Sequence, residues 1–116
     1  MEKSIDNTLI VLWTSPDREV ALKMAFMYTY NSKIKGWWDE VTLIVWGPSA
    51  KLLTEDAELQ DYLKRIQSVG IEVVACKACT DSYGITEKLQ DFGIDVKYMG
   101  QPLTHLLKAG YKILNV

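Results

Sequence analysis

The sequence contains few cysteines and lacks any long apolar run. Two cysteines in 116 residues are too few for the disulfide framework of a small secreted domain. No apolar stretch reaches the roughly 18 residues of a membrane-spanning helix, and the apolar run at residues 9–13 is too short for the core of a signal peptide. We therefore expect a cytoplasmic protein with no membrane segment, in a compartment that keeps thiols reduced.

Neither basic nor acidic residues are in excess. Thirteen basic and fifteen acidic residues give a net charge of −2, without the basic surface that binds nucleic acid. No stretch matches a Walker phosphate loop or a Gly-x-Gly-x-x-Gly fingerprint, so no cofactor is expected. The length lies near the commonest domain size, and 48% of the residues are hydrophobic. This predicts a single globular domain over residues 1–116.

Short apolar runs alternate with amphipathic segments along the whole chain. The first helix is predicted to begin at Pro16 after a cap at Thr14 or Ser15, because proline suits the first helical position. A strand–helix alternation with short loops indicates a parallel sheet with helices on both faces. We predict a three-layer α/β/α fold, flavodoxin-like in general plan, with the fifth strand at an edge and strands at residues 9–13, 41–46, 71–75, 96–99 and 111–114.

The carboxyl ends of parallel strands meet at one edge of a sheet, where ligands bind in this class of fold. Thr14 and Ser15 follow the first strand, and Ser49 follows the second. Their hydroxyl groups are candidates for substrate binding, and helix capping is the alternative role for all three.

A Cys-x-x-Cys pair, Cys76 and Cys79, follows the third strand. A thiol between the carboxyl end of a strand and the amino end of a helix, here the amphipathic segment at 85–92, lies among unpaired backbone N–H groups. These favour the thiolate, which attacks and ligates. Lys77 is a further candidate, because a nearby cation lowers a thiol pKa. A buried structural role is the alternative, since free cysteine is among the most buried residue types.

The first helix is apolar around most of its circumference. Between Val20 and Tyr30 only Lys23 and Thr29 are plainly polar. A helix of this kind needs cover on both sides, and a small sheet covers only one. We therefore expect a homo-oligomer in which a second subunit covers the outer side, and aromatic side chains lying flat on the surface are the alternative.

Three segments resemble a known family, the DsrE-like proteins. They are Leu-Trp-Thr-Ser at 12–15, Val-Trp-Gly-Pro-Ser-Ala-Lys-Leu-Leu at 45–53, and Ala-Cys-Lys-Ala-Cys-Thr-Asp-Ser-Tyr-Gly at 75–84. The resemblance extends over nearly the whole chain. It implies a sulfur-relay role in which Cys76 carries a persulfide, together with a sulfur donor or carrier protein as partner. It also implies assembly as a trimer or hexamer. Relay members commonly have one cysteine here, and Cys79 is a departure.

Other functions stay open on the same residues. The pair suits dithiol–disulfide redox chemistry, although a thioredoxin motif stands earlier in its chain. Cys76, Cys79 and the sole histidine, His105, give three metal ligands, whereas structural zinc usually takes four. The remaining hypothesis is an oligomeric module that binds a small ligand and has no catalytic activity.

Overall fold

The computed structural model describes residues 4–116, which form a five-stranded parallel sheet. Its strands lie in the order β4-β3-β2-β1-β5, and every neighbouring pair is parallel. The predicted parallel sheet is confirmed, and so is the position of the fifth strand at an edge. The strands are β1 at Thr8–Trp13, β2 at Glu40–Val45, β3 at Glu72–Cys76, β4 at Asp95–Lys97 and β5 at Lys112–Asn115.

Helices connect all the strands. The first, α1, covers residues 18–34 and is α-helical at both ends with a π-helical segment between them. A short 3₁₀ turn precedes β1 at Ile5–Asn7. The segments of α1 are Arg18–Val20, Ala21–Phe26 (π) and Met27–Ile34, and the other helices are α2 at Pro48–Glu55, α3 at Ala57–Ser68, α4 at Lys77–Tyr83, α5 at Thr86–Asp91 and α6 at Gly100–Ala109.

The start of α1 differs from its prediction. Asp17 is the N-cap, and its carboxylate accepts hydrogen bonds from the N–H groups of Glu19 at 2.8 Å and Val20 at 3.1 Å. The Ser15 hydroxyl accepts the N–H of Asp17 at 3.1 Å instead of capping the helix. The prediction that Pro16 opens the helix was wrong. The helix begins at Arg18 instead, because the carboxylate of Asp17 accepts the first free N–H groups of the helix.

The two faces of the sheet are covered unequally. Connections from β1 to β4 all advance in one direction, so right-handed crossovers place their helices on one face, and the return from β4 to β5 places α6 on the other. The first face carries most of the core, where the sheet packs against α1, α2, α3 and α5. The second face, centred on Ile10, Ile44, Val74, Cys76 and Met99, packs against Leu106 of α6. No residue of α6 is fully buried. The three-layer prediction is confirmed, with one helix forming the third layer.

None of the helices within residues 4–116 combines the length and apolarity needed to cross a lipid bilayer.

Candidate functional site at the carboxyl edge of the sheet

Cys76 joins the sheet to a helix. It is the last residue of β3 and the N-cap of α4, which begins at the next residue. The sequence predicted a helix here only from Ile85, and α4 was missed. The side chain of Cys76 lies on the second face with Val74 and Met99, and 5% of the residue is exposed. Cys76 is therefore buried just beneath the carboxyl edge, where the sequence predicted a reactive thiol.

The two thiols lie near each other. Cys79 lies in the first turn of α4, half-buried, and packs against the small apolar cluster that contains Cys76. Its sulfur also accepts the backbone N–H of Gly47, from the loop after β2. Gly47 has φ 72° and ψ −134°, a backbone region that residues with a Cβ rarely adopt. The ionisation of Cys79 is thus influenced by groups at the ends of two adjacent strands.

The environment of Cys79 favours its protonated form. Burial raises the pKa of the Cys79 thiol, the hydrogen bond to Cys76 raises it further, and the Gly47 N–H opposes both with a smaller effect. The sequence predicted that backbone N–H groups favour a thiolate, and at Cys79 desolvation outweighs them. The raised pKa favours the protonated form of Cys79 at neutral pH.

This electrostatic coupling predicts a pH effect on alkylation. Because Cys76 raises the pKa of Cys79, replacing Cys76 by alanine should lower that pKa, and alkylation of Cys79 by iodoacetamide should begin at a lower pH. Peptide mapping by mass spectrometry, performed as a pH series, measures modification of Cys79 alone. An unchanged or higher midpoint in the variant would contradict the coupling.

Two lysines lie near the cysteines, and the sequence singled out one of them. The ammonium group of Lys77 binds Asp81 at 2.8 Å and lies 5.2 Å from the ring centroid of Tyr98. Lys97 of β4 is the register partner of Cys76, and paired residues on neighbouring strands project to the same face. Sequence reasoning missed Lys97, because its position beside Cys76 depends on strand order.

The three hydroxyl candidates are used within the protein. Thr14 is exposed, and its hydroxyl donates to the carbonyl of Val116 at 3.3 Å. Ser15 is half-buried and accepts the N–H of Asp17. Ser49 is fully buried and donates to the carbonyl of Trp13 at 2.6 Å, while accepting the N–H of Trp46 at 3.2 Å. Ser49 therefore joins the ends of β1 and β2.

The strand order reverses between β1 and β5, where ligands commonly bind in open α/β sheets. There the N–H groups of Thr14 and Ser15 donate to the carbonyl of Val116 at 2.8 and 3.2 Å. The backbone itself fills this position, and the cysteine pair lies farther along the edge, after β3. The structure thus separates Thr14 and Ser15 from Cys76 and Cys79.

The residues considered for metal binding are dispersed. His105 is exposed on α6 and lines a groove with Glu72 and Lys97. Within the described part of the chain, no three histidine, cysteine, aspartate or glutamate side chains cluster as metal ligands do.

A three-layer fold with five parallel strands and a thiol after the third defines the class of this protein. Within it, the model of the DsrE/DsrF-like family matches residues 8–116. The chain belongs to the DsrE/DsrF-like family, and the resemblance noted in the sequence is confirmed. Membership of this family suggests a role in sulfur relay.

Solved structures share the fold. A conserved protein of unknown function from Bacteroides thetaiotaomicron, BT1422, is 37% identical, with a TM-score of 0.95 and full coverage of both chains. The ychN protein from E. coli is 17% identical, with a TM-score of 0.70 and full coverage of both chains. MTH1491, a protein of unknown function from Methanobacterium thermoautotrophicum, is 14% identical, with a TM-score of 0.76 over 96% of this chain and all of that one. No curated protein matches the sequence significantly.

Proposed function

We propose that the protein transfers sulfane sulfur, with Cys76 as the acceptor and Cys79 as its hydrogen-bonding partner. The supporting observation is the pair of neighbouring thiols at the carboxyl edge of the sheet, in a member of the DsrE/DsrF-like family. Burial raises the pKa of the Cys79 thiol, and Cys76, which ends β3 at the carboxyl edge of the sheet, is the cysteine that we propose as the nucleophile.

The transfer step is balanced without an oxidant or reductant. The Cys76 thiolate attacks the outer sulfur of a donor persulfide, R–S–SH. The S–S bond of the donor breaks, R–S⁻ leaves and takes up a proton from water, and Cys76 becomes a persulfide. The stored sulfur then passes to an acceptor thiol in the reverse sense. Because Cys76 is buried, a small donor molecule suits this site better than a folded donor protein, and a carrier protein could act as acceptor only through a cysteine on an extended segment that reaches this edge of the sheet.

Intact-mass spectrometry tests this function. The reduced protein is incubated with inorganic polysulfide, separated from excess donor, and weighed. A gain of one sulfur atom, removed again by dithiothreitol, supports the proposal. Incubation with an unreactive sulfur compound such as sulfate provides the control, and a wild-type protein that gains no sulfur refutes sulfur transfer.

The neighbouring thiols also support a second candidate, reversible dithiol–disulfide chemistry. Cys76 and Cys79 are both free and pack in one small cluster, and two cysteines that lie close together with suitably directed side chains can form a disulfide. The same mass measurement distinguishes the two candidates. If the protein is a dithiol–disulfide redox protein, incubation with glutathione disulfide should lower its mass by two hydrogen atoms, and incubation with polysulfide should add no sulfur. The reducing cytoplasm, which we propose as its compartment, would keep such a bond transient.

We also propose that a second copy of the chain covers the outer side of α1. Met24 and Met27 are each 41% exposed there, and Trp37, just beyond the helix, is 55% exposed. The opposite side of the helix buries Ala25 and Phe26 against the sheet. Two flexible thioethers and a large aromatic ring provide the adaptable apolar area typical of interface cores.

Inserting charge into this surface should dissociate the assembly. In Met27→Glu an unpaired carboxylate would have to be desolvated on association, so the assembly constant should fall by about 100-fold or more. Sedimentation velocity over a dilution series measures it. Lys64→Glu, on the exposed side of α3, is the matched control and should leave assembly unchanged. A wild-type protein that stays monomeric at all concentrations would refute the proposed interface.

A further inference from the structure

A groove lies between α6 and the second face of the sheet. Its volume is about 200 Å³, and a cavity of about 150 Å³ accepts a benzene ring. Leu106 of α6 lines it opposite the sheet, and His105 of the same helix is exposed. Four apolar residues belong both to the groove and to the small cluster that contains Cys76, and these are Ile10, Ile44, Val74 and Met99. The groove and the thiol therefore share one apolar surface.

The groove extends to the immediate neighbours of the Cys76 thiol. Val74 lies two residues before Cys76 on β3, so both side chains project to the same face, about 7 Å apart at about 3.3 Å per residue. Lys97, which also lines the groove, is the register partner of Cys76 on β4. Because Cys76 itself is only 5% exposed, the groove offers a small molecule a binding space beside a thiol that the protein otherwise covers.

The charged side chains around the thiol and along the groove already have partners within the protein. The ammonium group of Lys97 lies 3.2 Å from Asp95, and that of Lys77 lies 2.8 Å from Asp81. Glu72, at the far end of the groove, also interacts within the protein. A charged ligand would have to displace one of these partners or lose its hydration against apolar side chains, and both are costly. The groove therefore favours an uncharged group.

We infer that the groove binds the organic group of a small persulfide donor, R–S–SH, in which R is apolar and uncharged. This inference rests on the proposed sulfur transfer and names the class of its donor. R lies over Ile44 and Val74 and against Leu106, and the outer sulfur of the donor faces Cys76. The Cys76 thiolate attacks that sulfur, the S–S bond of the donor breaks, and R–S⁻ leaves and takes up a proton from water.

Two donors that differ by one charge test the inference on the wild-type protein. They are benzyl hydropersulfide and its 4-carboxylate, and intact mass measures how fast each adds one sulfur atom. Each rate is divided by the rate at which the same donor reacts with N-acetylcysteine, which removes differences in intrinsic reactivity. The normalised rate should be at least about tenfold higher for the uncharged donor. Benzyl methyl sulfide, which carries no transferable sulfur, should compete with it.

A charge placed in the groove provides a matched pair of variants. Leu106→Asp adds a carboxylate to the lining and should lower the ratio of benzyl hydropersulfide loading to inorganic polysulfide loading by about tenfold or more. Leu107→Asp, at the next position of α6, is the control. Leu107 is 59% exposed, so this variant should keep the wild-type ratio. Circular dichroism establishes that both variants are folded.

Failure of the inference differs from failure of sulfur transfer. If polysulfide and both benzyl donors leave the mass of the wild type unchanged, sulfur transfer is refuted, and the assignment of its donor is refuted with it. If polysulfide loads the protein but the two benzyl donors differ by less than about threefold after normalisation, the role of the groove is overturned and sulfur transfer stands. A folded Leu106→Asp variant with the wild-type ratio would also overturn the role of the groove.

Discussion

The variant Cys76→Ser is expected to gain no sulfur from polysulfide, whereas Cys79→Ser is expected to retain the reaction. A serine hydroxyl is not ionised at neutral pH and is a poor nucleophile toward sulfur, so the loss at position 76 should exceed about 100-fold. In Cys79→Ser the nucleophile remains, and the serine hydroxyl can still donate a hydrogen bond to it. Intact mass as a function of time measures both rates.

The two variants should also differ in what happens after the transfer. In the wild type, Cys79 can lose its proton to solvent and attack the sulfur of Cys76 that is bonded to carbon, which forms a disulfide and releases HS⁻; the raised pKa of Cys79 should make this second step slow at neutral pH. Cys79→Ser cannot make this bond, so its persulfide should persist longer. Released sulfide, measured alongside the protein mass, follows this second step.

Two outcomes would contradict the roles assigned to Cys76 and Cys79. Sulfur gain in Cys76→Ser that disappears in Cys79→Ser would reverse the roles of the two cysteines. Sulfur gain that survives in both single variants but not in the double variant would show that neither cysteine is specifically activated. Peptide mapping of the modified protein identifies the residue that carries the sulfur in each case.

The sheet was predictable because its strands are buried on both faces. The runs at 9–13 and 41–46 are apolar without alternation, the pattern of central parallel strands, and they became β1 and β2. Glycines and short polar loops marked the ends of the helices between them. Strand order was not predictable, because it depends on which strands pair across long stretches of sequence.

The local errors have local causes. The segment 77–83 contains two threonine or serine residues, a cysteine and a tyrosine, which are weak helix formers, and its helix α4 is only seven residues long. The π-helical turn in α1 leaves no signature in apolar periodicity, because Ala21, Ala25 and Phe26 are buried there at spacings that an α-helix also accommodates. Both features depend on packing more than on propensity.

The site was only partly predictable for the same reason. The Cys-x-x-Cys spacing pointed to two candidate thiols, and in the structure Cys79 packs against the small cluster that contains Cys76. The spacing of the two cysteines did not predict how deeply they are buried, because their burial depends on α6 and on the loop that contains Gly47. Lys97 and the groove beneath α6 arise from strands β3 and β4 lying side by side, which local sequence does not encode.

A large loss of stability is expected for Phe26→Ala. Phe26 is fully buried in the π-helical turn. Its ring packs edge-to-face on Trp13 at 4.8 Å and on Tyr62 at 5.4 Å between centroids. Truncation removes both aromatic contacts and leaves a cavity between α1, β1 and α3, so the free energy of unfolding should fall by about 3–5 kcal/mol. Urea denaturation measures the change.

The consequences of Phe26→Ala should reach the cysteine pair. Trp13, held by Phe26, offers the backbone carbonyl that accepts both the Ser49 hydroxyl at 2.6 Å and the N–H of Trp46 at 3.0 Å. These bonds fix the loop whose Gly47 N–H reaches Cys79, so alkylation of Cys79 in the folded variant should become faster. Lys23→Ala, exposed on the same turn of the helix, should change stability by less than about 0.5 kcal/mol. If the free energy of unfolding fell by less than about 1 kcal/mol in Phe26→Ala, the core would have closed around the smaller side chain. The aromatic cluster would then have no effect on the thiols.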